Sequence, residues 1–204
     1  RSHSEFKQLL INMGGVDVDN VTENVLDKLK LCNLPSDINI TVVMGGSAPY
    51  LESVKSKAIK LPYKTKVKTD VDNMAEIMAN SDIAIGAAGA TTWERCCLGL
   101  PTIQIVIAKN QQFLAETLAC QNIVKLAKKA NETIFLLESS SEWMESVGNL
   151  ALEICDGMGI YKVFNKMTDY KIILEEFGEV DLCNYVNLNE NDKALVLSMR
   201  NHPE

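Results

Sequence analysis

A chain of 204 residues is longer than one average domain and shorter than two, since globular domains run roughly 100–200 residues. Hydrophobic residues at 47% and charged residues at 23% exclude a disordered or low-complexity chain and supply a core. The 20 basic and 27 acidic residues give net −7, which excludes a nucleic-acid-coating role, and no apolar run reaches the roughly 18–20 residues of a membrane span. In chain order, residues 7–13 form a short apolar run ending in Gly14-Gly15, with Asp17, Asp19, Asn20 and Thr22 ahead of the periodic Val25, Leu26 and Leu29. That pattern predicts a strand, a glycine turn and a capped helix. Residues 38–44 repeat the unit, with Gly45-Gly46-Ser47 leading into the helical spacing of Leu51, Val54 and Ala58; residues 66–69 read as a third, more polar strand.

Residues 74–78 then predict a short helix, and residues 82–85 a strand that runs into a glycine- and alanine-rich stretch, residues 86–92. A helix follows over residues 93–98, stopped at Gly99 and Pro101. Residues 102–108 carry Ile103, Ile105, Val106 and Ile107, the pattern of a strand covered on both faces, and are expected at the sheet centre. Residues 111–120 are helical, residues 123–126 a brief strand, and residues 142–154 an amphipathic helix expected to continue past Gly157 and Gly159 toward Met167. The alternation predicts an α/β fold: a Rossmann-like, doubly wound parallel sheet of about six strands, over residues 1–167. Residues 168–204 fall outside it. They read as the opening of a further domain, the alternative being a C-terminal strand and helix packed on the sheet.

Cysteine and histidine narrow the chemistry. Cys32, Cys96, Cys97, Cys120, Cys155 and Cys183 show no metal-ligand spacing, lie mostly in apolar stretches and are expected as buried, reduced thiols. The two histidines, His3 and His202, lie near the termini, so no interior imidazole offers a general base or a metal ligand. Neither a metal nor a cofactor is expected. Residues 1–6 lack the apolar core of a signal peptide, and the expectation is a soluble, cytoplasmic chain without a membrane span.

Ligands of open parallel sheets bind outside the carboxyl ends of the strands. Four segments qualify: residues 13–15, 44–47, 69–74 and 86–94. None carries the GxGxxG fingerprint or a GxxxxGK[ST] phosphate loop, and a tight βα turn accounts equally well for any single Gly-Gly. The last segment says more. Two glycines and three alanines remove side-chain bulk, after which Thr91 and Thr92 are expected to cap the helix and expose its first amides, as a phosphate site requires. Glu94, just inside the first turn, is placed to accept hydrogen bonds from the two hydroxyls of a ribose; the alternative is that it only complements the helix dipole.

Residues 82–111, DIAIGAAGATTWERCCLGLPTIQIVIAKNQ, resemble the nucleotide-binding signature of GT-B glycosyltransferase C-terminal domains, in particular the MurG-like group. The run is more closely similar to GAAGxTxWERCCLGLP of the UDP-2,4-diacetamido-2,4,6-trideoxy-β-L-altropyranose hydrolases of pseudaminic acid biosynthesis, and residues 11–22, INMGGVDVDNVT, are similar to the start of that family's C-terminal domain. The resemblance covers about residues 7–165. It implies a domain of the GT-B C-terminal type that binds UDP or a UDP-sugar, with Gly14 and Gly15 near the pyrophosphate, the backbone around Val71 beside the uracil, and Ala88, Gly89, Ala90 and Thr91 cradling phosphate. Glu94 would hold the ribose, while Asn110 and Gln111 would face the sugar. Plain core remains open for Val71, and a helix cap for Asn110 and Gln111. The family's catalytic histidine belongs to an N-terminal domain that this chain lacks, so no catalytic residue is expected here and that domain is the expected partner. Residues 186–204, VNLNENDKALVLSMRNHPE, resemble the opening of a GNAT-type acetyltransferase, which implies a fused or partner acetyltransferase. The alternatives to a hydrolase are a MurG-like glycosyltransferase using the same donor and a non-catalytic nucleotide-binding module.

Overall fold

The computed structural model describes residues 7–159, 162–163, 173–174 and 178–179. The chain divides into two compact units, residues 1–156 and 157–204. In the first, six strands alternate with helices: β1 (Gln8–Asn12), α1 (Val21–Leu29), β2 (Asn39–Met44), α2 (Leu51–Ile59), β3 (Lys64–Thr69), α3 (Met74–Ala79), β4 (Ile83–Ala87), α4 (Thr91–Cys97), β5 (Thr102–Ile105), α5 (Gln112–Cys120), β6 (Lys125–Ala127), α6 (Glu132–Glu138) and α7 (Met144–Ile154). The strands form one sheet in the order β3-β2-β1-β4-β5-β6, with every pairing parallel. This is the α/β, Rossmann-like doubly wound sheet that the alternation predicts.

The two faces are filled differently. Alternate residues of a strand point to opposite faces. Leu9 and Ile11 of β1 join Ile40, Val42, Ile83, Ile85, Ile103 and Ile105 against Val25, Leu26 and Leu29 of α1 and Leu51, Val54 and Ala58 of α2. Leu10, Val43 and Ala84 face the other way and meet Ile77 and Met78 of α3. A smaller cluster joins Cys96 of α4, Leu118 of α5 and Ala151 of α7. Burying each large side chain of this kind contributes about 1.5–3 kcal/mol.

Several expectations need correction. The run at residues 102–108 is not the sheet centre: β1 and β4 hold the middle, and β5 lies next to the edge strand β6. Its nearly continuous apolarity reflects coverage on both faces, since all four residues of β5 are buried. The strand also ends at Ile105, leaving Val106 and Ile107 half-buried outside it. The C-terminal helix starts at Met144 and stops at Ile154, because Cys155 turns extended (φ −136°, ψ 90°), and it does not continue toward Met167. Helix α6 was not anticipated. Of the five described cysteines all are free thiols, but only Cys32 and Cys96 are buried, while Cys120 is exposed.

The outer edge belongs to β3, whose Lys64, Lys66 and Lys68 are exposed while Thr65, Val67 and Thr69 are half-buried. In the second unit, β7 (Ile173–Leu174) and β8 (Gly178–Glu179) pair antiparallel. The acetyltransferase-like stretch, residues 186–204, lies outside the described residues.

Candidate functional site

The order β3-β2-β1-β4-β5-β6 reverses direction between β1 and β4, and ligands of open α/β sheets bind in the crevice at such a switch point. The loops after β1 and β4 therefore flank the crevice. Gly14 stands at φ +89° on the first, and open space surrounds the positions that a Cβ would take on Gly14 and Gly15.

The loops after β1, β2 and β3 are already tied to the chain itself. The helix start after β1 is closed by the buried Asp17, whose carboxylate accepts the amides of Val21 at 2.9 Å and Thr22 at 2.8 Å. The loop after β2 is bound to that after β1, Gly45 N donating to Gly15 O at 2.9 Å. Only glycine permits this approach, because a Cβ on Gly45 would stand 2.4 Å from that same oxygen. The third tie comes from Asp70, at the end of β3, whose Oδ1 accepts Gly46 N at 2.8 Å.

The loop after β4 is uncommitted where it faces the crevice. Among the described residues the amides of Gly89, Ala90 and Thr91 donate to no group, although Ala88 N is taken by Ile105 O at 3.2 Å. Free amides on consecutive residues of a loop leading into a helix are the donors an anion needs. Glu94 is exposed one turn further on, and its carboxylate makes no hydrogen bond or ion pair among the described residues. Next to the loop, Gln111 lies in a 3-10 turn (Lys109–Gln111); its Oε1 accepts Ile107 N at 3.2 Å, and its Nε2 stands 3.7 Å from where a Cβ on Gly89 would lie. Asn110 is exposed on the same turn. Ala88, Gly89, Ala90, Thr91 and Gln111 thus gather at one place. The Val71 side chain packs with Met74 and Leu98 against the α3-side core.

Thr91 and Thr92 do not cap α4. The N-cap position is Ala90, in helical conformation and without a side-chain cap bond, so both threonines sit in the first turn. Their hydroxyls instead accept from Arg95: Nη1 reaches Thr91 Oγ1 at 3.1 Å and Nη2 reaches Thr92 Oγ1 at 3.3 Å. Arg95 is 1% exposed and also donates to Ala87 O at 2.7 Å. Thr92 Oγ1 takes a further bond from Gln104 Nε2 at 2.8 Å, while Asn12 Nδ2 donates to Val43 O at 3.0 Å. Asn12, Gly86 and Gln104 are register partners across β1, β4 and β5, so they form a buried polar row beneath the crevice. The sequence does signal this row, in a single Asn and a single Gln interrupting otherwise apolar strand ends.

Burial lowers the Arg95 pKa to about 10, which leaves it a cation at neutral pH. Burial also raises the Cys96 thiol to about 11 and pushes the Cys97 thiol up, so neither supplies a thiolate nucleophile at neutral pH. Among the described residues no group of His, Cys, Asp and Glu gathers as a metal site. Nor is any described helix long and apolar enough to cross a membrane.

Residues 9–147 match the glycosyltransferase family 28 C-terminal domain. An uncharacterised protein of Methanocaldococcus jannaschii is 27% identical over 98% of this chain and 39% of its own length. The spore coat polysaccharide biosynthesis protein SpsG of Bacillus subtilis is 30% identical over 56% of the chain and 34% of its own. The UDP-N-acetylglucosamine–N-acetylmuramyl-(pentapeptide) pyrophosphoryl-undecaprenol N-acetylglucosamine transferase of Campylobacter fetus is 34% identical over 62% and 38%. In fold, the chain is similar to Acinetobacter baumannii MurG, with a TM-score of 0.65 at 16% identity, over 83% of this chain and 54% of that one. The chain thus spans roughly two fifths or less of the length of these three sequence relatives. With its six-stranded sheet of the GT-B C-terminal type, the chain belongs to the glycosyltransferase family 28 C-terminal domain family.

Proposed function

We propose that this chain is the UDP-sugar-binding part of a longer enzyme that cleaves the bond between a sugar and UDP. The observation that carries the reading is the loop after β4, where the amides of residues 89–91 have no acceptor and Glu94 stands free one turn beyond. On this reading the amides receive the diphosphate and Glu94 the ribose hydroxyls. Gly14 and Gly15 close on the pyrophosphate from across the crevice, the backbone at Val71 borders the uracil, and Asn110 and Gln111 face the sugar. No metal takes part: developing charge on the departing UDP is held by backbone donors fixed before the reaction.

The finer assignment is a hydrolase. Water attacks the anomeric carbon of a UDP-linked 2,4-diacetamido-2,4,6-trideoxyhexose, and UDP leaves with the bonding electron pair. The run GAAGATTWERCCLGLP, residues 86–101, supports this through its similarity to the hydrolases of nonulosonic (pseudaminic) acid biosynthesis. The base that activates water is assigned to the length of the relatives that this chain does not span. A second reading, transfer to an alcohol acceptor, is favoured by the 34% identity to the Campylobacter fetus transferase. Residues 186–204 are read as the start of an acetyltransferase domain acting on the same class of sugar nucleotide.

Calorimetric titration of the chain with UDP, UMP and UDP-sugars tests the binding claim. UDP should bind and UDP-sugars should be retained without turnover. Failure to bind UDP overturns the reading, and turnover by the purified chain overturns the assignment of catalysis to the rest of the enzyme. In the longer protein, UDP release that needs no alcohol separates hydrolysis from transfer.

A further inference from the structure

Arg95 is a buried cation without an acid. Its Nη1 and Nη2 donate only to two threonine hydroxyls and the carbonyl of Ala87, its Nε donates to nothing, and it makes no ion pair among the described residues. The adjacent carboxylate in sequence, Glu94, points its charge into solvent and raises the guanidinium pKa only through space. Arginine is almost never fully buried unless paired, because removing a lone charge from water is costly.

The fold nonetheless makes room for it. A Cβ on Gly86 would stand 2.5 Å from Nη1 and 2.9 Å from Cζ, so the missing side chain in the middle strand is the space that the guanidinium fills. On either side of Gly86 in register, Asn12 Oδ1 and Gln104 Oε1 are buried and accept from no donor. The result is a polar layer with surplus positive charge, lying one residue below the loop whose amides at positions 89–91 have no acceptor.

We propose that Arg95 is the buried counter-charge for the ligand's diphosphate, a positioning residue that makes this site favour a nucleoside diphosphate over a monophosphate or a free nucleoside. The inference rests on the donor-site reading given above. Arg95 acts without touching the ligand: its fork holds Ala87 O and the Thr91 hydroxyl, which fixes the loop on which the amides sit, and its charge acts on the anion across that loop. Among the described residues the cation has no acidic partner, and the diphosphate supplies one. Two phosphates gain more than one, and a nucleoside gains nothing.

The test is titration of the full 204-residue chain, wild type, Arg95→Gln and Arg95→Lys, with uridine, UMP, UDP and inorganic diphosphate. Arg95→Gln should lower UDP affinity by about ten- to fiftyfold, the range expected for one charge pair some way below the surface, and leave uridine affinity within about twofold. Arg95→Lys should keep most of the preference for UDP over uridine. Equal losses for UDP and uridine in Arg95→Gln, or an unchanged preference, overturn the proposal. Should Arg95→Gln fail to fold, the Arg95 Nε–H resonance of the wild type decides: a shift with inorganic diphosphate or UDP but not with uridine supports the counter-charge, and no shift in the UDP complex overturns it. A wild type that binds neither UDP nor inorganic diphosphate overturns both readings. One that binds inorganic diphosphate with no preference for UDP overturns the nucleotide assignment alone, and the Arg95 variants then decide the counter-charge with that ion.

Discussion

Glu94 and Arg95 are neighbours on one helix, yet one carboxylate stands in solvent while the guanidinium beside it is 1% exposed. Their assigned roles separate experimentally. If Glu94 receives the ribose hydroxyls, Glu94→Gln should weaken UDP binding by about 1–3 kcal/mol, the range for losing a charged acceptor, with folding hardly changed. If it only complements the helix dipole, stability should fall by about 0.3–1 kcal/mol with affinity unmoved. Calorimetry of wild type and mutant with UDP and 2′,3′-dideoxy-UDP distinguishes the two, since mutation and missing hydroxyls should be non-additive when they report one interaction. The place of Glu94 in the first turn was legible in the sequence, because small residues before a helix and an acid just inside it are local signals. Arg95 was not. Arginine is ordinarily a surface residue, and what buries it is a gap at Gly86 and two polar residues on different strands, a coincidence that only the register brings together.

Among the elements, the four strands β1 to β4 were legible because each apolar or alternating run is followed by its own turn or cap signal. Strand rank was not: a nearly continuous apolar run reports coverage on both faces, which β5 has although it lies next to the edge. Helix α6 was missed because only Thr133 and Leu137 are buried in it, too few positions for a visible period. Helices α1 and α2, both legible, are also joined by charge. Lys57 Nζ lies 2.8 Å from Glu23 Oε1 and contacts Asp27 as well. Hydrogen bonding from Lys57 lowers both carboxyl pKa values from their ordinary 4.5 and 3.8. Burial works against the Lys57 charge, but its bonds to Asp27 and Glu23 leave its pKa raised above 10.5. Depressed carboxyls add stability above their unfolded pKa and lose it as pH falls through the folded value; the raised lysine adds stability below its unfolded pKa and loses it as pH rises through the folded one. The clamp therefore works between about pH 4.5 and 10.5. Lys57→Met should cost about 0.5–1 kcal/mol in urea unfolding at pH 7, a difference that should shrink at acid pH, as the pH falls below the ordinary 3.8 of an aspartate. An equal cost at neutral and acid pH would assign the loss to packing of the lysine stem instead.

At the scale of the whole molecule, the proposed site lies where two halves of one sheet diverge, and the donors assigned to it are backbone groups with a side-chain cation beneath them. UDP affinity should accordingly be the same in EDTA as in magnesium, measured by calorimetry in matched buffers; loss of binding in EDTA would replace the amide cradle with a metal bridge. The sheet's two ends have different consequences for how copies of the chain meet. At one end β6 offers only three residues, too few to extend the sheet. At the other, β3 is six residues long, enough to template a further strand, but it carries Lys64, Lys66 and Lys68 exposed at every second position. A second copy laid along that edge would bring a row of ammonium groups against its own likeness. The long edge thus repels itself at neutral pH.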